Sequence, residues 1–240
     1  MYYNMQVHSA YDLLNSTIKY ESLFLKLAKD NQQSVVIVDP NMYGAIKAHK
    51  QAKKAGVNLI QGLEVSLGYG IGLLKFNLLC KTEKMFYKLL EISTKFMNGE
   101  EWTVEDFSND MVDYREDFVL IVVDELRDSM EFSYLKNLLS KYDFYFGFNE
   151  SFQIGLYSDY DNIVYTKPSF YLNKEHYQQV IVSRAIRDNK KLNIQELTTI
   201  SGEDFVREQK DFEEILVPGD EELHIIFEKS FANQKLIIDS

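Results

Sequence analysis

The run Ser34-Val-Val-Ile-Val38 constrains this chain more than any other feature. A β-branched stretch without polar alternation is the pattern of a strand buried on both faces, as in a parallel sheet flanked by helices. Its surroundings agree. Asn4 to His8 reads as a short extended segment. Tyr20 to Asp30 carries Leu23, Phe24, Leu27 and Ala28 at helical spacing. Met42 to Ala55 reads as a second helix, with Ala45, Ala48, Ala52 and Ala55 on one stripe and Gly56 placed as its C-cap. Asn58 to Ser66 is a third strand candidate. A βαβαβ opening of this kind implies right-handed crossovers onto a parallel sheet.

The later pattern is looser. Strands are expected at Leu73 to Leu79, Phe118 to Val123, Phe144 to Phe148 and Ile163 to Tyr165. Helices are expected at Lys84 to Phe96, Phe132 to Lys141 and Glu221 to Asp239, and another after Asn173, an N-cap with Glu175 in the first turn. Six or seven strands, each followed by a helix, favour a barrel over an open sheet. With 240 residues the chain fits one larger domain. Residues 1–200 are assigned to the barrel and 201–240 to an acidic helical C-terminal segment.

Charge excludes some partners. The net charge is −11, from 37 acidic and 26 basic residues, so the surface should repel a nucleic-acid backbone. Aromatics make up 14%, but no basic stripe lies beside them, so they read as packing rather than as a base-stacking platform. The single cysteine, Cys80, excludes an intramolecular disulfide and a cysteine-rich zinc site, and is expected in the core. The longest strongly apolar stretch, Phe118 to Val123, is far short of a membrane span. No signal peptide is visible at Met1-Tyr2-Tyr3-Asn4, and a cytoplasmic location is the expectation.

In a barrel, ligands gather at the C-terminal ends of the strands. Three early strands end on His8, Asp39 and Glu64, a set that could ligate a metal. Polar residues at strand ends also simply meet solvent, and spacing alone leaves both readings open.

Several segments resemble the PHP (polymerase and histidinol phosphatase) family. Gln6-Val-His8-Ser-Ala-Tyr-Asp-Leu-Leu-Asn15 is similar to its opening motif, usually His-x-His followed by Ser-Leu-Leu-Asp. Asp39-Pro-Asn-Met-Tyr-Gly-Ala45 is similar to the second, usually Asp-His-Gly-Asn-Met-Tyr-Gly. Lys53 to Glu64 resembles the third, Leu78 to Leu90 the fourth, and Tyr171 to Glu175 with Ala185 to Asn189 the last. The wording resembles the branch at the N-terminus of bacterial replicative polymerase alpha subunits of the low-GC Gram-positive type. The resemblance implies a distorted, seven-stranded (β/α) barrel, TIM-barrel-like, with clustered divalent metals at its rim activating water for phosphoester hydrolysis.

Position by position, the implied ligands are mostly replaced. The first His of the opening pair is Gln6, while His8 survives. The Asp that follows is Asn15. The His of the second motif is Pro40, beside a retained Asp39. Glu64 survives. The fourth segment's His aligns with Lys75, and the late Asp-x-His pair falls on Pro168 and Phe170. The ligand after the fifth strand has no counterpart in Val123-Asp124-Glu125-Leu126. Pro and Phe offer no donor, and Lys75 puts a positive charge where a dication would sit. It could instead pair with Glu64 or Asp39.

The expectation is therefore a vestigial rim comprising Gln6, His8, Asn15, Asp39, Pro40, Glu64, Lys75, Pro168 and Phe170, with no catalytic residue, no metal and no cofactor. By resemblance the chain is a fragment of a DNA-directed DNA polymerase (a nucleotidyltransferase of DNA replication using magnesium) that serves as a structural and interaction module. Its implied partners are the palm and thumb of its own chain and, through them, replisome proteins, with no direct grip on DNA and no membrane. The alternative is a metal-dependent phosphoesterase or 3'-5' proofreading exonuclease with a thinned site. Asp159-Tyr-Asp161 reads as a solvated loop, the Lys47, Lys50, Lys53 and Lys54 cluster as a helix face, and Trp102 as packing or a contact surface. His49 reads as a surface residue of its helix, and His176 and His224 have no ligand partner at useful spacing.

Overall fold

The computed structural model describes residues 2–70, 72–123, 129–149, 160–192, 202–216 and 220–240. They form one seven-stranded sheet in sequential order: β1 (Asn4–Val7), β2 (Ser34–Asp39), β3 (Asn58–Tyr69), β4 (Gly72–Cys80), β5 (Phe118–Val122), β6 (Asp143–Phe148) and β7 (Ile163–Tyr165). The helices are α1 (Tyr20–Lys29), α2 (Ala45–Ala55), α3 (Glu83–Met97), α4 (Val104–Asp110), α5 (Ser129–Leu139), α6 (Tyr177–Arg187), α7 (Gln209–Glu213) and α8 (Glu221–Asp239).

The strands β1, β2 and β3 run parallel, as do β5, β6 and β7. β4 is antiparallel to both neighbours. This corrects the expectation of a helix after every strand. β3 turns directly into β4, with Tyr69 paired to Gly72 and Gly70 at φ +57°, the left-handed geometry a tight hairpin needs. The sheet closes through a parallel bridge between Val7 and Ser169. It is a distorted (β/α) barrel.

Strand alternation sorts the core. Val36 and Val38 face one cluster with Met5, Leu79, Val119, Ile121 and Val164, while Val35 and Ile37 face Leu23, Phe24, Leu27, Ala48 and Ala52 of α1 and α2. The Ser34–Val38 run is thus buried on both sides. A third cluster packs Leu63, Val65, Phe76, Leu78 and Leu120 under Met85, Leu89, Ile92 and Phe107 of α3 and α4.

Several boundaries differ from the sequence reading. α2 starts at Ala45, not Met42, because Tyr43 N donates to Asn41 Oδ1 and Met42 N to Ser93 Oγ, holding 41–44 in a turn. Gly56 is its left-handed C-cap, φ +69°. Asn173 precedes a 3₁₀ turn, Lys174–His176, without a side-chain cap bond, and α6 begins only at Tyr177. α4 was not anticipated, although its Thr103-x-x-Asp106 capping box is readable in the sequence. Cys80 is not in the core. It is half-buried at a groove edge, where burial pushes its thiol up to about 11.

The last helix seals the barrel's seam. Gln234, fully buried, donates to Tyr165 O (2.9 Å) on β7 and accepts from Tyr3 N (3.1 Å) beside β1. Ser230 Oγ accepts from Tyr165 N (2.7 Å), and Ile237 and Ile238 join the cluster that contains Val36 and Val38. Among the described residues, no helix is long and apolar enough to cross a membrane.

Candidate functional site

The rim loops are strapped together before any side chain meets. His8 N donates to Ser169 O (2.9 Å), Ser169 N to Gln6 O (2.8 Å) and Thr17 N to Phe170 O (3.0 Å). Ser16 Oγ donates to His8 O at 2.6 Å. These bonds bring residues 168–170 onto the end of β1. They frame a cavity of about 290 Å³ lined by Gln6, His8, Asn15, Glu64, Lys75, Val123, Asn149, Pro168 and Phe170.

His8 is the centre of this site. Its ring stacks on Phe170, with Nδ1 3.2 Å from Asp12 Oδ2 and Nε2 3.8 Å from Glu64 Oε2. Burial opposes protonation, but Asp12, Glu64 and Asp39 outweigh it and hold the imidazole above its ordinary range. Asp12 responds in the opposite sense. Burial would raise its pKa, yet His8, a hydrogen bond from Asn15 Nδ2 (2.6 Å) and the Arg187 charge hold it below the ordinary carboxylate value. Asn15 Oδ1 accepts from Arg184 Nε at 2.9 Å and Arg187 Nη1 at 3.2 Å. The Arg184 guanidinium lies over the Phe170 ring, 4.4 Å from its centroid, so the ring contacts both a cation and His8. Gln6 Nε2 lies 3.5 Å from Glu64 Oε2, and Lys75 Nζ lies 3.7 Å from Glu64 Oε1.

Seven of the nine residues singled out in the sequence line this one cavity: Gln6, His8, Asn15, Glu64, Lys75, Pro168 and Phe170. Asp39 and Pro40 do not. Asp39 is buried and accepts from Ser9 N (2.6 Å), Ser9 Oγ (2.5 Å) and Tyr20 OH (3.2 Å), and burial pushes its carboxyl up against those bonds. Of the two carboxylates considered for Lys75, it is Glu64 that lies beside it. Residues 124–126 and Asp159 lie outside the described residues. Asp161 pairs with Lys229 at 3.1 Å, and Trp102 packs on Phe96.

The sequence reading missed Asp12, Arg184 and Arg187. Asp12 carried a usable signal, four residues after His8 in a turn. The arginines carried none, because their meeting with Asn15 spans about 170 residues of chain.

A sheet strapped shut at residue 169, with polar groups from several strand ends converging on one rim, defines a class, and the comparison with known proteins agrees. The PHP domain family matches residues 4–186, and the chain belongs to it. Its relatives include the DNA polymerase III subunit alpha of Staphylococcus epidermidis, 24% identical over 230 residues, covering 88% of this chain and 21% of that one. That of Ureaplasma parvum is 33% identical over 114 residues, covering 47% and 11%. That of Bacillus subtilis is 36% identical over 95 residues, covering 38% and 8%. The chain thus spans about a fifth or less of the curated relatives it matches. Among solved structures, a candidate metal-dependent phosphoesterase of Bifidobacterium adolescentis is 10% identical, covering 89% of this chain and 95% of that one at a TM-score of 0.44.

Proposed function

We propose that this chain is the PHP module of a bacterial replicative polymerase alpha subunit and acts as a structural and interaction module, its rim no longer a metal site. The donor set of the cavity carries this reading. A bound zinc needs three or more protein ligands, and a two-metal site needs a bridging carboxylate as well. Here His8 and Glu64 face Gln6, Asn15, Lys75, Pro168 and Phe170, while Asp12 sits outside the cavity lining, against His8 Nδ1 and Asn15 Nδ2. The Phe170 ring occupies one face of His8, and Lys75 supplies a positive charge to Glu64. Among the described residues, no three of His, Cys, Asp and Glu gather in a ligating group. These residues do not fit the divalent cluster that the family implies, and no hydrolytic step is assigned.

As a module of a larger polymerase, the domain would pack on the palm and thumb, where magnesium-dependent extension takes place. Its surplus of 37 acidic over 26 basic residues suits protein contact better than a grip on DNA. The test is metal analysis after dialysis, together with incubation on single-stranded DNA in zinc or manganese. The expected result is less than one ion per chain and no hydrolysis above that of Glu64→Ala. Two or more retained ions, with nuclease activity lost in His8→Ala and Glu64→Ala, would establish the thinned phosphoesterase instead.

A further inference from the structure

Because β3 turns straight into β4, no crossover helix lies between them. On the outer face of the sheet, α2 and α3 flank a groove of about 310 Å³. Leu59 and Gln61 of β3 form its floor, with Cys80 of β4 at the edge, Ala45 and Ile46 on the α2 side and Phe86 on the α3 side. Leu59 and Gln61 face outward because Leu63 and Val65, which continue the same alternation, pack under α3 and α4. Gln61 is the anomaly of this floor. The side chain is only 9% exposed. Its Nε2 donates to Gly62 O at 3.1 Å, while its Oε1 has no hydrogen-bond partner among the described residues.

The donors nearby are already engaged. Cys80 Sγ donates to Thr82 O at 3.0 Å, and Thr82 Oγ1 donates to Asp117 Oδ1 at 2.9 Å. A buried acceptor without a donor has given up its water with nothing in return, and folded chains satisfy nearly all such atoms. The Gln61 oxygen is therefore matched to a donor from outside the chain. Charge narrows the class further. The groove lining carries one lysine and one glutamate, Lys81 and Glu83, and Lys81 is paired with Asp143 at 3.2 Å. Neither sign dominates, so the lining suits an uncharged molecule.

We propose that this groove binds a small, neutral, largely apolar molecule carrying one N–H or O–H donor, its apolar body between Ile46 and Phe86 and its donor on Gln61 Oε1. A concave, mostly apolar lining with a few convergent polar atoms is the usual make-up of a small-molecule site, and 310 Å³ lies at the small end of the range. The proposal does not depend on the state of the rim. Indole and benzofuran test it, because they share a shape and benzofuran has a ring oxygen where indole has its N–H. Each is titrated into the full chain and followed by amide NMR. Indole should saturate with a dissociation constant of about 1 mM or below, with shifts gathered at Gln61, Cys80 and Phe86. Benzofuran should bind about tenfold more weakly or worse. Gln61→Leu should bring the two within about twofold of each other. Ile46→Trp, at a position 60% exposed, should fill the groove and abolish binding of both without altering the circular dichroism. Ile225→Trp, on the exposed side of α8, should change nothing. Equal binding of the two molecules by the unsubstituted chain, no saturation by indole, shifts gathered elsewhere, or binding that survives Ile46→Trp would each overturn the proposal.

Discussion

Phe170 lies flat on His8, ring centroids 4.6 Å apart and planes inclined by 21°, although the two are far apart in the chain. Arg184 also lies over the Phe170 ring, 4.4 Å from its centroid. The ring is only half-buried, so its removal should cost less than loss of a fully enclosed Phe. Phe170→Ala should destabilise the fold by about 1–2 kcal/mol, mostly through the lost stack and cation contact. For a chain of this size that is a fall in Tm of about 3–6 °C. An unchanged calorimetric Tm would show that the stack is incidental.

The rim should also shape the pH dependence of stability. His8 binds its proton more tightly folded than unfolded, so its contribution is fully present below its ordinary pKa of 6.5 and is lost as pH rises through the raised value. Asp12 is the reverse. Its contribution is present above the ordinary 3.8 and is lost as pH falls through the lowered value. The two limbs leave greatest support between them. Urea midpoints across this range should show an alkaline decline that His8→Gln flattens. A decline of equal slope in His8→Gln would assign it to another group.

Chelation should do nothing to the melting curve. A ligand that binds only the folded chain adds about 2.7 kcal/mol at a hundredfold excess over its dissociation constant. Removing a resident ion would therefore lower Tm visibly. EDTA should leave Tm unchanged, and added zinc or manganese should not raise it. A sharp fall with EDTA would mean that the rim still binds metal.

Lys75 should matter little for stability. Its side chain is 54% exposed, and its distance to Glu64 Oε1 is long. Such pairs contribute under about 1 kcal/mol and fade with salt. Lys75→Met should shift Tm by less than about 3 °C, and by less still in high salt. A larger shift that persists in salt would mean that the pair is effectively buried.

Gln234 should matter more. Gln234→Ala removes the acceptor for Tyr3 N and a donor to Tyr165 O at the seam. Buried groups stripped of a partner cost about 1–3 kcal/mol each. The variant should lose about 2–4 kcal/mol by denaturant titration, with early amide exchange at Tyr3. A loss under about 1 kcal/mol would mean that another group seals the seam.

Much of this was legible in the chain. The Ser34–Val38 run specified a strand buried on both faces because β-branched side chains without alternation leave no face for water. The alanine stripe before Gly56 specified α2 and its end, since helix period and the left-handed cap are local properties. The order of the motifs brought most of the rim positions singled out in the sequence together, because neighbouring strands of one barrel end on one rim. Tertiary structure decided the rest. Register and hairpin geometry turned β4, expected as a strand, antiparallel to β3, with a tight turn where a crossover helix was expected between them. Asp39 left the cavity because Ser9 and Tyr20 claim its carboxylate. Arg184 reached Asn15, Phe170 covered His8 and Gln234 bridged β7 to the chain beside β1 across long sequence separations. Contacts of that kind leave no period and no spacing in a sequence. They exist only once the barrel has closed and fixed which loops share a rim.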